Sequence, residues 1–116
     1  MTEERIYADY LEDILDSIEK IERFIAGMTF EQFIKDDKTV YAVIRALEII
    51  VEATKNIPED VRSSYSEVPW REIAGMRDKL VHNYFGVDLE VVWKTASEDL
   101  SNLEPTIRRI LSDFCE

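Results

Sequence analysis

An apolar rhythm near the start of the chain constrains its fold more than any other feature. Tyr7, Leu11, Ile14, Ile18, Ile21, Ile25 and Met28 recur at alternating spacings of four and three residues. In an α-helix that rhythm places all seven on one stripe. Acidic residues fill the opposite face, so the stripe must be covered by other helices. The strict four-three alternation is the seam of helical bundles and coiled coils. Gly27 weakens the last turn.

The rest of the chain keeps the same period. Thr29-Phe30-Glu31-Gln32 has the spacing of a capping box opening a short second helix, with Phe30 and Phe33 as anchors. Asp36-Asp37-Lys38 is a polar break. Val40, Val43, Ile44, Leu47, Ile50, Val51 and Thr54 form the buried stripe of a third helix, with Asn56 at its C-terminal cap. Pro58 opens a helical turn or a loop through Ser66. Pro69 suits the first turn of a fourth helix, with Trp70, Ile73, Met76, Leu80 and Tyr84 inward and Gly86 as its C-terminal cap. Asp88 caps a final helix through Leu89, Val92, Trp93, Ala96, Leu100 and Leu103. Pro105 is expected to kink or break it before Ile107, Ile110, Leu111 and Phe114 continue the stripe. No segment alternates with period two over six residues. The expectation is an all-α, up-and-down bundle of four to five helices, formed by residues 1–116 as one domain.

Composition narrows the function. With 116 residues, 46% of them hydrophobic, the chain can bury a core. The single cysteine, Cys115, excludes a disulfide framework and a cysteine-rich zinc site. The many carboxylates have no companion histidines, so no metal site and no cofactor are expected. No apolar run reaches the roughly 20 residues that cross a bilayer. The acidic N-terminus lacks an apolar signal core, which sets a cytoplasmic expectation. The net charge of −11 disfavours duplex DNA, whose binders neutralise phosphates with basic surfaces. A local RNA-handling cleft or a basic protein partner stays compatible with it.

One segment departs from bundle patterning. Gly75-Met76-Arg77-Asp78-Lys79-Leu80-Val81-His82-Asn83-Tyr84-Phe85-Gly86 holds the only histidine and crowds Arg, Asp, Lys, His, Asn and Tyr together. Arginine offers a planar, permanently charged fork for phosphate oxygens. Histidine moves protons near neutral pH. Tyrosine offers a hydroxyl for hydrogen bonding or modification. The plainer alternative is structural: a histidine capping a helix end, an arginine pairing with an acid and a tyrosine in the core. At about 100° per residue, Arg77 and Tyr84 lie about 20° apart around a helix, but His82 is about 140° from Arg77. Arg77 and His82 meet only if the helix loosens, if the arginine reaches round, or if a second chain contributes.

Arg77-x4-His82-x-Tyr84 resembles the Arg-x4-His-x-Tyr signature of the HepT-like toxins, a branch of the HEPN superfamily. Asp78 fits the polar or acidic residue common after the arginine. Arg45-Ala46-Leu47-Glu48-Ile49-Ile50-Val51-Glu52-Ala53 is similar to the family's third-helix segment, except that Val51 stands where a glycine is typical. Pro69 to Arg77 and Tyr84 to Asp88 look like the lead-in and exit of the motif. The resemblance covers nearly the whole chain.

It implies a dimeric HEPN-like bundle, a homodimer with both motifs lining one cleft. It implies the toxin half of a toxin–antitoxin pair, acting on RNA as a metal-independent endoribonuclease. Arg77 would stabilise phosphorane charge and His82 would act as base or acid, with Asp78 and Asn83 in support. Tyr84 would accept AMP from an MNT-type nucleotidyltransferase antitoxin. An alternative is a non-catalytic partner and substrate of that nucleotidyltransferase. A plain dimeric bundle is the third possibility.

Overall fold

A computed structural model describes the backbone over residues 3–81 and 88–114, and side-chain surroundings over residues 7–76 and 88–113. Among these residues there are only helices: α1 (Glu3–Ile25), α2 (Phe30–Lys35), α3 (Asp37–Lys55), α4 (Glu59–Ser64), α5 (Trp70–Val81), α6 (Leu89–Lys94) and α7 (Leu100–Phe114). A π-helical turn, Thr95–Asp99, joins α6 to α7, giving six helical rods. The all-α expectation holds. The segment after Pro58, ambiguous in sequence, is the helix α4, with Pro58 at its N-cap.

The four-three stripe of α1 forms the centre of the core. Leu11, Ile14, Ile18, Ile21 and Ile25 are all buried, and Tyr7 and Met28 pack against them partly covered. On α3, Val43, Ala46, Leu47, Ile50, Val51, Ala53 and Thr54 are buried. On α7, Leu100, Leu103, Ile107 and Ile110 are buried. Helix α1 packs against both α3 and α7, and α3 packs against α5. Thr54 sits in this apolar setting because its hydroxyl donates to the Ile50 carbonyl at 2.8 Å.

Helix ends follow from side-chain chemistry. Helix α1 stops at Ile25, and Gly27 adopts φ +76°, a left-handed conformation that favours glycine. The capping box forms as spaced: Gln32 N–H donates to Thr29 Oγ1 at 3.2 Å, and Thr29 N–H donates to Gln32 Oε1 at 2.9 Å. The polar break narrows to one residue, Asp36. Its backbone N–H closes α2 on the Phe33 carbonyl, and its carboxylate accepts from Thr39 N–H at the start of α3. That hydrogen bond holds the Asp36 carboxyl below the usual aspartate range. Asn56 caps α3, as its position predicts.

The final rod departs from expectation. Pro105 does not break it: α7 runs through Pro105 from Leu100 to Phe114. A proline removes one i→i−4 donor, and here buried Leu103, Ile107 and Ile110 flank it and hold the helix against α1. The irregularity lies earlier, where Leu100 N–H reaches the Thr95 carbonyl across five residues. Arg108 donates across the α1–α7 seam to Glu19 at 2.7 Å and within α7 to Glu104 at 2.8 Å. Burial and the neighbouring Glu104 raise the Glu22 carboxyl, while Arg108 lowers that of Glu104.

Candidate functional site

The segment singled out by its chemistry begins on α5 and leads in sequence to α6, and polar contacts fix the start of each of these helices. Helix α5 carries Arg77 and Asp78 in its last turns. Its start is set by a chain of satisfied carbonyls. Arg62 on α4 donates to Thr54 O and Ile57 O, both at 2.8 Å, tying α4 to the turn that ends α3, where Thr54 O also accepts from Ile57 N–H at 3.1 Å. The indole N–H of buried Trp70 then donates to Arg62 O at 3.2 Å and Tyr65 O at 3.1 Å. The Pro69 carbonyl accepts from Ile73 N–H at 3.0 Å, so Pro69 stands at the N-cap, one residue before the first turn expected for it. Buried Ile73 and half-buried Met76 set the rotation of α5 against the core.

On the far side, Asp88 caps α6. Its carboxylate accepts from Glu90 N–H at 3.0 Å and Val91 N–H at 3.4 Å, and its carbonyl accepts from Val92 N–H at 3.1 Å. Val92 is buried. Trp93 lies against Phe33, with ring centroids 5.1 Å apart, and against Phe30 at 6.3 Å. This aromatic cluster ties α6 to α2 and confirms both phenylalanines as anchors.

His82, Asn83 and Tyr84, with the expected cap Gly86, lie outside the described residues. For Arg77, Asp78 and Leu80 only the helical backbone is described, so their side-chain arrangement is outside them too. The backbone places Arg77 and Asp78 on α5 as the spacing predicts. Among the described residues, no group of three or more His, Cys, Asp or Glu side chains is placed to hold a metal ion. No described helix is long and apolar enough to cross a membrane.

A second corner contact secures the same region. The Tyr65 hydroxyl donates to Asp113 Oδ2 at 2.6 Å, which raises the phenol above the usual tyrosine range. Arg109 pairs with Glu67, and its guanidinium stands 6.0 Å from the centroid of the Tyr65 ring. These contacts pin the end of α7 to the segment leading into α5. Sequence periodicity gave no signal for them, nor for a cavity between α5 and the final rod.

The chain matches a family model described as ribonuclease HepT-like over residues 14–110. The chain belongs to the HepT-like ribonuclease family. A HepT-like relative from Thermococcus cleftensis, described as "Probable ribonuclease HepT", is 55% identical over 106 residues, covering 91% of this chain and 96% of that protein. A relative under an RNase name from Caldanaerobacter subterraneus is 47% identical, covering 88% and 91% of the two chains. Another, from Methanocaldococcus jannaschii, is 44% identical and covers 90% and 87%. No solved structure matches. The matched span contains Arg77-x4-His82-x-Tyr84 and its flanks.

Proposed function

We propose that this protein is a metal-independent endoribonuclease toxin acting as a homodimer, with Arg77 and His82 as its reacting groups. The observation that carries this reading is the coincidence of ribonuclease-family membership with Arg77-x4-His82-x-Tyr84, set between a helix positioned by Trp70 and another capped by Asp88. His82 takes the proton from the ribose 2′-hydroxyl as its oxygen attacks phosphorus. The 5′-oxygen leaves with a proton from an acid, supplied by the second chain's copy of His82. Arg77 stabilises the charge building on the phosphorane oxygens. Asp78 and Asn83 orient these groups.

Dimerisation supplies the second histidine, since each chain holds one. Light scattering at micromolar concentration is expected to give twice 13.6 kDa. A monomer mass contradicts this part.

Regulation runs through Tyr84, the acceptor of AMP from a nucleotidyltransferase antitoxin. Each AMP adds roughly one negative charge and a nucleoside, so it occupies Arg77 electrostatically and fills the cleft. Intact mass spectrometry with ATP, Mg²⁺ and the cognate nucleotidyltransferase tests it. Wild type is expected to gain AMP units and Tyr84→Phe none. Equal modification of both places the acceptor elsewhere. Modification of Tyr84 without RNA cleavage would favour the non-catalytic reading.

A further inference from the structure

The final rod does not lie flush against α5. Between them is a cavity of about 590 Å³. Glu72, Ile73 and Met76 line it from α5, and Asp99, Asn102 and Leu103 face them from the rod. Ile73 and Leu103 are buried and give it an apolar floor, while Glu72 and Asp99 are exposed at its rim. The π turn helps shape this wall. By taking in one extra residue between Thr95 and Leu100, it advances the register of every position that follows.

The volume falls in the range of sites for single small ligands, about 300–1,000 Å³. A helix about 10 Å across would fit little more than one turn in it. Electrostatics narrow the ligand further. Glu67 also borders the cavity, but Arg109 pairs with it, and Lys94 borders it from α6 as its one cation among the described residues. Glu72 and Asp99 have no partner among the described residues. With two carboxylates against one ammonium, the mouth of this apolar slot is net negative, and its carboxylates accept hydrogen bonds from amino groups. Planar apolar faces with exocyclic amines are the property of cytosine, adenine and guanine. Uracil has no such amine. Ile73 and Arg77 are four residues apart on α5, so the cavity opens about 6 Å along the helix from the backbone of Arg77.

We propose that this cavity is a nucleobase subsite that accepts an amino-bearing base next to the scissile phosphate. The assignment rests on the ribonuclease reading above, with Arg77 holding that phosphate. Glu72 and Asp99 are its specificity-determining residues, and Ile73, Met76 and Leu103 pack against the base.

The test has a binding arm and a cleavage arm, both on the full chain. Isothermal titration with the 3′-monophosphates of cytidine, adenosine, guanosine and uridine reads the subsite without catalysis. At least one amino-bearing nucleotide is expected to bind about tenfold or more tighter than the uridine form. The Glu72→Gln/Asp99→Asn pair is expected to reduce that preference below about threefold and leave uridine binding unchanged. Asn102→Trp fills the slot from an exposed position and is expected to weaken all four. Cleavage of oligoribonucleotides differing at one base is expected to follow the same order. Cleavage that ignores these substitutions, with no base preference in binding, overturns the subsite and leaves the ribonuclease reading standing. The expected binding order without RNA cleavage supports the subsite and overturns the ribonuclease reading. Binding of a lysine-rich amphipathic peptide in place of any nucleotide assigns the cavity to a protein partner and overturns the proposal.

Discussion

The α1–α3–α7 core and the α4–α5–α6 corner are built by different means. The core is apolar stripe against apolar stripe, with Leu11, Ile14, Ile18, Leu47, Ile107 and Ile110 almost wholly hidden. Its polar groups are few and satisfied locally, as Thr54 is. The corner joins the same apolar cluster through Val61, Trp70, Ile73 and Val92, but adds directed polar contacts: Arg62 on the Thr54 and Ile57 carbonyls, the Trp70 indole on the Arg62 and Tyr65 carbonyls, and Asp88 on the α6 amides. Burial supplies stability without specifying fine geometry, whereas hydrogen bonds fix position at modest net stabilisation. The chemically distinctive segment adjoins the second kind of construction. A site that must place an arginine within a fraction of an ångström benefits from it.

Substitutions can break this division. Truncating the core by Leu47→Ala is expected to be the most destabilising change, about 2–5 kcal/mol, because it removes contacts and leaves a cavity. Urea denaturation measures it, and RNA cleavage per folded molecule is expected to stay near wild type. A loss of cleavage at full folding would show that the core also tunes the site.

Trp70→Phe keeps most of the ring packing but removes the N–H that two carbonyls share. The expected cost is about 1–2 kcal/mol in the same assay. Cleavage is expected to fall more than for Leu47→Ala, since α5 carries Arg77. The reverse order would erase the distinction between the two regions.

Asp88→Ala removes the α6 cap and is expected to cost about 1 kcal/mol. Thermal unfolding reads it, and Asp88→Asn is expected to recover most of the loss.

The smallest effect is at Asp36, where the test is pH. Its carboxyl is lowered in the folded protein, so its contribution is present above the unfolded value of 3.8 and is lost as pH falls through the folded value. The melting-temperature gap between wild type and Asp36→Ala is expected to shrink between about pH 5 and pH 2. A constant gap would mean that the charge on Asp36 contributes nothing.

The same contrast explains what could be read from the chain. The stripes of α1, α3 and α7 were legible because burial imposes a period. The Thr29–Gln32 capping box, Asn56 and Asp88 were legible because caps need particular side chains at fixed offsets. Helix α4 was not, because Glu59–Ser64 is too short to show a period. The π turn was not, because Thr95-Ala96-Ser97-Glu98-Asp99 carries no breaker, whereas Pro105, which is one, lies within a continuous helix. The motif was legible in Arg77, Asp78, His82, Asn83 and Tyr84, through resemblance more than spacing. The cavity was invisible, since Glu72 and Asp99 look like solvated helix acids until the fold sets α5 beside the final rod.

The central claim is that Arg77 and His82 cut RNA. Its most direct measurement is the rate of cleavage of a defined RNA by purified dimer in the presence of EDTA, for wild type, Arg77→Ala and His82→Ala, each matched for folded fraction. The account predicts metal-independent cleavage by wild type and a loss of about 10²–10⁴-fold in each variant, the usual cost of a missing acid–base or charge-stabilising group. Undiminished cleavage by either variant, or wild-type activity abolished by EDTA, would contradict it.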